Sequence, residues 1–572
     1  MKFHQVPLLA LSLLTTVAIA QADTPRPPER LAHFDDMPKV SLLPDGTLAA
    51  FILRHRGPGL PDTEDVQRMR VRESRDNGKT WGDARELFAL PKEEGGFGYF
   101  ERLVDRDGEI HFFFLCDANT GVVRPREKSE TRPAVEPIAK QHLDIWHIKS
   151  TDHRTKWTTP KQIWKGRGGD LQSVIQLKSG RIVLPICYYL PRSWSQRGEG
   201  ANTFTYTGQF DTSAMYSDDG GQTWEKSPSI TRTPVPNLSA YGAVEPVALE
   251  LNDGSVWTLL RTSMGRFWDM RSRDGGATWT QAQPTAITSS ESPAGLIRLP
   301  DGRIVMLWNN CQRYPYAAGA RRVLHAAVSK DEGKTWLGCR EILRDPKRND
   351  PPPPNGDHGV SYPYPCLMAD GRVLYTMWVE TGEGRSINAF DPNWLTETSQ
   401  RDDFAADLEA WSTYGTKGVE IATSVDGARD GRALAMSKAD ASWPCAAVRN
   451  FPGGRSGSVK LRMKMEPGSS GAVVQLTDHF SSPFDLEDRF FSPYVLEIGG
   501  DDKTPRGEWV DLEIRWDSAT RSAKATVNGQ PLATLPLQRE GLPISYLRIR
   551  PISNESEKGC LLIDDVQVEV TP

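Results

Sequence analysis

The chain has 572 residues, enough to bury a sizeable core, and its 69 basic and 74 acidic residues leave a net charge of −5. It has no block of like charges, which argues against a basic footprint for nucleic acid or for a membrane surface. Gly (49), Pro (42) and Trp (17) are plentiful and long helical periodicities are few, a balance typical of short strands joined by turns. We therefore expect an all-β fold.

The first 22 residues have the pattern of a secretory signal peptide. A basic start precedes an apolar run over residues 6–20, and small residues precede a cleavage point near Asp23. The run is shorter than the roughly 20 residues that a membrane span needs. The pattern predicts a secreted or periplasmic protein without a membrane span.

An octet of the form S-x-D-x-G-x-x-W recurs along the chain. Copies begin at Ser74, Ser217, Ser272 and Ser329, and a degenerate copy begins at Ser150. The Asp can accept hydrogen bonds from turn amides, the Gly permits a positive φ, and the Trp fills space between neighbouring sheets. These properties predict a structural staple rather than a catalytic motif.

A second repeat alternates with the octet and consists of a strand, a tight Gly turn (the DG turn) and an apolar strand. Its turn glycines lie at positions 46, 108, 180, 254, 302 and 371. Variable spacing around a persistent unit is typical of propeller blades that carry insertions on one face. The six copies predict a six-bladed β-propeller.

The octet resembles the Asp box of the sialidase (neuraminidase) superfamily, and the resemblance covers about residues 33–395. It implies that the octets cap the blades on the face away from the active site. We expect a signal peptide over 1–22, the propeller over 23–400 and a further domain over 401–572. Alternating runs and an Asn-Gly turn make this last segment similar to a concanavalin or laminin-G jelly-roll sandwich, which either binds glycan or only supports the propeller.

The resemblance also implies a mechanism. A retaining sialidase uses a tyrosine nucleophile, because a charged nucleophile would be repelled by the carboxylate of its substrate. A glutamate accepts the phenolic proton, and an aspartate serves the leaving oxygen and then water. The matching positions here are Tyr362 as nucleophile, with Tyr364 as its competitor, Glu245 as its base and Asp62 as acid/base.

An arginine cluster would bind the substrate carboxylate. Glu245 and Arg261 lie sixteen residues apart on either side of a DG turn, which places both at the same rim. We expect Arg321 on the strand that leads into the last octet, with Arg322 as the alternative. Arg54 and Arg385 complete the predicted substrate-binding set.

The first blade departs from the family pattern. Where sialidases carry the first clamping arginine, this chain has Asp36, and Lys39 follows just beyond the proline. Lys39 could act as a looser point charge, since Lys lacks the planar fork that grips a carboxylate in two places. This departure puts sialic acid itself in question.

The function that these patterns favour is a secreted exo-glycosidase that removes a terminal, acidic sugar from an extracellular glycan. A glycosidase or lyase on uronic-acid-containing polysaccharide and a non-catalytic glycan-binding propeller stay open as alternatives. The mechanism needs no cofactor. Seven cysteines without metal-ligand spacing predict no metal site, although Cys445 and Cys560 could pair.

Overall fold

The computed structural model describes residues 25–53, 67–90, 96–117, 143–196, 204–234, 242–311, 321–350, 359–381, 384–413, 418–482, 486–500 and 504–571. The predicted signal peptide, Arg54 and Asp62 lie outside these ranges. Within them no helix is long and apolar enough to cross a membrane. The helices described are single 3-10 turns at Pro392–Thr396, Arg429–Gly431 and Leu486–Phe490.

The first two thirds of the chain forms six antiparallel sheets built on four strands each. In chain order their strands are β1 (Glu29–Phe34), β2 (Lys39–Leu42), β3 (Leu48–Leu53), β4 (Arg68–Ser74), β5 (Arg85–Ala89), β6 (Gly96–Val104), β7 (Ile110–Asp117), β8 (Asp144–Thr151), β9 (Lys156–Trp157), β10 (Lys161–Trp164), β11 (Ile175–Gln176), β12 (Ile182–Gln196), β13 (Phe204–Ser217), β14 (Glu225–Lys226), β15 (Val244–Glu250), β16 (Val256–Arg261), β17 (Arg266–Ser272), β18 (Gln283–Thr288), β19 (Gly295–Arg298), β20 (Ile304–Trp308), β21 (Val323–Ser329), β22 (Leu337–Arg344), β23 (Val360–Leu367), β24 (Val373–Glu380) and β25 (Arg385–Phe390).

Five of the sheets follow the chain in simple up-and-down order, with β9 added to β8 in the second. The sixth is β23-β24-β25-β1, so the first strand of the chain pairs with β25 and closes the ring. The first strands of neighbouring sheets, such as β15 and β19 or β2 and β23, contact each other around the axis. The predicted propeller fold is confirmed.

The DG turns share one hydrogen-bond pattern. In the first, Gly46 N donates to the carbonyl of Leu43, and Leu43 N donates to that of Thr47. The same pair of bonds recurs in the other five turns. All six turn glycines have φ between 79° and 97°, a region that a residue with a side chain enters only at a cost.

The four full octets also share the hydrogen bonds from Ser and Thr to the Asp carboxylate. In the third, the Asp274 carboxylate accepts from Ser272 Oγ at 2.8 Å, Thr278 N at 2.8 Å and Thr278 Oγ1 at 2.5 Å. Trp279 Nε1 donates to the carbonyl of Gly276, and the indole is buried between sheets. Each octet joins the third and fourth strands of its sheet, and each DG turn joins the first and second. Both repeats therefore lie on one face, which we call the octet face.

The rest of the chain forms two facing sheets. Their strands are β26 (Ser399–Asp402), β27 (Trp411–Ser412), β28 (Val419–Thr423), β29 (Arg432–Met436), β30 (Ala447–Gly454), β31 (Ser456–Met465), β32 (Ala472–Thr477), β33 (Tyr494–Ile498), β34 (Trp509–Asp517), β35 (Ser522–Val527), β36 (Gln530–Pro536), β37 (Ile544–Pro551) and β38 (Leu561–Thr571). One sheet is β28-β29-β38-β31-β34-β35-β36, with β26 added to β38. The other contains β30-β37-β32-β33, with β27 added to β30. A single large apolar cluster lies between the two sheets, as in a β-sandwich.

The sandwich is joined to the fifth blade through its sheet. The outer blade strand β22 pairs with β30 at Gly338 and Gly453. A Cβ at Gly453 would lie 2.8 Å from the carbonyl oxygen of Gly338, so only glycine permits this approach. His325 of β21 bonds to the hydroxyl of Tyr546 at 2.5 Å across the same interface. The two domains thus share a continuous, buried contact.

All seven cysteines are free, and six of them are buried. Cys445 and Cys560 are among the free thiols, so the pairing considered from the sequence is not present. Burial raises the pKa of Cys445 to about 12, which keeps this thiol protonated at neutral pH.

Candidate active site

The face opposite the octets carries the predicted site residues. It is formed where the first and third strands of each sheet begin and where the second strand ends. Glu245 is the second residue of β15, Arg261 ends β16, and Tyr362 lies near the start of β23. Arg321 lies two residues before β21, rather than on this strand as expected. We call this the site face.

Tyr362, Glu245 and Arg261 form one hydrogen-bonded cluster. The Tyr362 hydroxyl donates to Glu245 Oε1 at 3.1 Å. Arg261 Nη1 lies 2.6 Å from the same hydroxyl and 2.7 Å from each carboxylate oxygen of Glu245. The phenol is therefore held between a proton acceptor and a cation.

The backbone at this cluster has an unusual conformation. Glu245 has φ 49° and Tyr362 has φ 61°, and the pairing register of β15 with β16 shifts at Glu245. Tyr99 has φ 45° at a similar irregularity in β6. Non-glycine residues in this region are strained, and such strain concentrates at functional sites.

Arg321 and Glu291 complete the arrangement around Tyr362. Arg321 Nη2 donates to the Glu291 carbonyl at 2.7 Å, and its guanidinium carbon lies 5.2 Å from the Tyr362 ring centroid. The Glu291 carboxylate lies 3.6 Å from Arg261 Nη2. Two arginines from adjacent blades therefore flank the same phenol.

The electrostatics keep the phenol neutral. Burial and the charge of Glu245 raise the pKa of Tyr362 well above its ordinary value, despite the opposing effect of Arg261 and Arg321. Burial likewise raises the pKa of Glu291. A neutral phenol that donates to a carboxylate can become a nucleophile by passing its proton to that carboxylate as it attacks.

Lys39 begins β2, the first strand of the blade next to that of Tyr362, and it is already paired. Its ammonium is 2.7 Å from Glu101 Oε2 and 3.7 Å from the ring centroid of Tyr364. Lys39 and Glu101 are both almost fully buried, and burial lowers the pKa of Lys39 to about 8. Arg102 also pairs with Glu101, at 2.5 Å. The charge of Lys39 is thus neutralised within the protein.

Arg385 is separate from the Tyr362 cluster in its bonding. It begins β25, and its Nη1 donates to the carbonyl of Gly384 at 2.7 Å. Among the residues that the structure describes, no hydrogen bond or ion pair joins it to the Tyr362–Glu245 pair or to Arg261 or Arg321.

Sequence reasoning did not assign roles to three carboxylates near the axis. Glu101 neutralises Lys39, Glu291 lies between the two arginines, and Asp170 acts electrostatically on both Tyr362 and Tyr364. Each lies at or just before the first strand of a blade. That shared position was a usable signal, because first strands line the axis of a propeller.

Comparison with known proteins agrees with this architecture. Residues 102–374 match the family model of the BNR repeat-like domain. A sialidase of Micromonospora viridifaciens is 26% identical over 385 residues, which cover 63% of this chain and 52% of that protein. The chain thus spans about half the length of this relative.

Two solved structures are also similar. A protein of unknown function from Dyadobacter fermentans has a TM-score of 0.43 and 19% identity, covering 64% of this chain and 96% of that one. The sialidase of Trypanosoma rangeli in complex with the inhibitor DANA has a TM-score of 0.41 and 13% identity, covering 95% and 92%.

The fold and the BNR repeats define a propeller protein of the sialidase type. The chain carries the BNR repeat-like domain and is similar in sequence to a sialidase.

Proposed function

We propose that the protein is a secreted exo-glycosidase that hydrolyses a terminal acidic sugar, with Tyr362 as nucleophile and Glu245 as its base. The observation that carries the proposal is the 3.1 Å hydrogen bond from the Tyr362 hydroxyl to Glu245, with Arg261 in contact with both groups. This arrangement supplies a proton acceptor for the phenol and a cation to stabilise the phenolate as it forms.

The reaction would proceed in two steps. In the first, the Tyr362 oxygen bonds to the anomeric carbon, its proton passes to Glu245, and Asp62 protonates the leaving oxygen as the glycosidic bond breaks. In the second, water attacks the anomeric carbon and gives a proton to Asp62. The bond to Tyr362 breaks as the bond to water forms, and Glu245 returns the proton to the phenolate oxygen.

Arg261 and Arg321 would bind the substrate carboxylate from two sides. Both guanidinium groups lie within 6 Å of the Tyr362 ring centroid, at 5.7 and 5.2 Å, so an acid group held by them would place the adjacent anomeric carbon near the phenol. Arg54 and Arg385 are proposed as further contacts to the sugar.

A glycosidase or lyase on uronic-acid-containing polysaccharide is the second candidate. One observation favours it: Lys39 is neutralised by Glu101, and Asp36 occupies the position of the first arginine. The site therefore departs from the three-arginine clamp that the resemblance to sialidases implies.

The test is an assay of purified protein on a fluorogenic sialoside beside a panel of uronic-acid glycans. Turnover of the sialoside that disappears in Tyr362→Phe supports the first proposal. Turnover only of the uronic-acid glycans selects the second. Glycan binding without turnover of any substrate would instead identify a non-catalytic binding propeller.

A further inference from the structure

A cavity of about 650 Å³ lies between the fourth blade and the sandwich. The blade contributes Arg266, Ala286 and Thr288 to its wall, and the sandwich contributes residues 455–456, 493, 517–519, 537 and 539–544. Leu542 of the same wall also packs into the apolar cluster of the blade. The cavity is thus built by both domains, and the buried Leu542 contact fixes one of its walls.

The blade wall of the cavity lies on the site face, a few residues along the chain from the candidate active site. Arg266 begins β17 on the site face, five residues after Arg261, and Thr288 ends β18 three residues before Glu291. An extended chain rises at most about 3.6 Å per residue, so these pairs are separated by no more than about 18 and 11 Å. A glycan chain of a few sugars could therefore extend from the axial site into the cavity.

The cavity has more available positive charge than negative charge. The Arg455 guanidinium makes no hydrogen bond or ion pair with any residue that the structure describes, and Arg266 makes one long bond of 3.4 Å to the Thr285 carbonyl. The third cation, Arg539, is bonded to Asp478.

The two acids of the wall do not compensate these arginines. Glu540 pairs with Arg521. Asp517 accepts from the backbone N–H of Ala519 at 2.9 Å, and no ion pair joins it to Arg266 or Arg455 in the described part of the chain. Arg266 and Arg455 are therefore two exposed cations from different domains that face one cleft.

We infer that this cleft is a subsite for the continuing chain of an oxyanion-bearing polysaccharide, whose carboxylate or sulfate groups pair with Arg266 and Arg455. Guanidinium groups bind both kinds of oxyanion through two parallel N–H bonds. The inference deepens the proposed function, on which it rests: the substrate is a polyanionic chain, and the sandwich supplies half of the site that binds it.

The test is calorimetric titration of the full-length protein with three oligosaccharides of matched length: a polyuronate, a sulfated dextran and a neutral dextran. We expect one or both anionic chains to bind, and added salt to weaken that binding. The double variant Arg266→Gln/Arg455→Gln should raise the Kd about tenfold. The control is Arg273→Gln, an exposed arginine on the octet face of the same blade, which should leave the Kd unchanged.

The three titrations and the two variants distinguish the possible results. Binding of the polyuronate alone, or of the sulfated dextran alone, identifies which oxyanion the cleft takes. Equal binding of the neutral dextran, no binding of either anionic chain, or an unchanged Kd in the double variant would overturn the subsite. Arginine-dependent binding without turnover of any substrate would remove the proposed glycosidase activity and leave the subsite standing.

Discussion

The hydroxyl of Tyr362 donates to the carboxylate of Glu245 at 3.1 Å, although 117 residues separate the two in sequence. Both residues have a positive φ, at 61° and 49°. Two strained backbone positions from different blades thus converge on one hydrogen bond. Strain of this kind persists only where the surrounding structure enforces it, and here the surroundings are the first strands of the fourth and sixth blades.

Tyr362→Phe should abolish turnover, because Phe keeps the ring but cannot form the glycosyl bond. Glu245→Gln should lower kcat by about 10²–10⁴-fold, the usual contribution of a positioned base. Steady-state kinetics of both variants on the substrate that the wild type turns over would measure the effect.

The matched control is Tyr364→Phe, two residues along the same strand, where the ring covers Lys39 and the hydroxyl is outside the Glu245 pair. It should retain most of the wild-type kcat. Loss of turnover in Tyr364→Phe with retention in Tyr362→Phe would show that Tyr364 is the nucleophile, and it would contradict the mechanism.

Gly359→Ala should destabilise the entry to β23. The residue has φ 95°, and a Cβ there would lie 2.2 Å from the Arg321 carbonyl oxygen, which accepts from Val360 N. Gly371→Ala is the control, since its φ is 85° and nothing lies within 4 Å of the added Cβ. Gly371→Ala should cost about 1–2 kcal/mol from its conformation alone.

Denaturant unfolding of both glycine variants would separate the clash from the backbone cost. Gly359→Ala should lose more free energy of unfolding than Gly371→Ala, and it should also raise KM because Arg321 is displaced. Equal losses in the two variants would show that the contact with Arg321 is relieved without cost.

The repeats of the fold were predictable from sequence because each is local. A DG turn or an octet closes its hydrogen bonds within eight residues, so its residue types are visible as a short pattern. Glu245, Arg261, Arg321 and Tyr362 could be proposed once the repeats placed them in blades. The Lys39–Glu101 pair spans 62 residues and two blades, and no local pattern marks which acid meets which base across a propeller axis.

Asp274→Ala should lower stability without changing catalysis. It removes three hydrogen bonds from the octet, each of which contributes about 1 kcal/mol. Because the octet lies on the face opposite Tyr362, kcat and KM should stay at wild-type values. Thermal unfolding and steady-state kinetics would check both statements.

Asp107→Ala is the matched control for Asp274→Ala. Asp107 is exposed in a DG turn on the octet face, and its carboxylate makes no hydrogen bond with the residues that the structure describes. It should leave Tm nearly unchanged. A loss of kcat in Asp274→Ala at temperatures where the protein stays folded would give the octet a catalytic role that this geometry does not support.

His479 should make the stability of the protein depend on pH. Its ring bonds to Asp478 Oδ1 at 2.8 Å and to Asp488 Oδ1 at 2.9 Å, in a fully buried position beside Arg539. Burial alone would lower the pKa of His479, but the two carboxylates raise it to about 9. The unfolded chain releases this proton near pH 6.5. The stabilisation is therefore complete below pH 6.5 and is lost as the pH rises through about 9.

The measurement is the Tm of the wild type minus that of His479→Gln, taken at intervals from pH 6 to pH 10. The difference is needed because Lys39, whose pKa burial lowers to about 8, changes charge in the same range. We expect a large difference at pH 6 that narrows as the pH rises past 9. His153→Gln, at an exposed histidine, should follow the wild-type curve throughout. A difference that stays constant across this range would contradict the prediction, because it would mean that folding does not raise the pKa of His479.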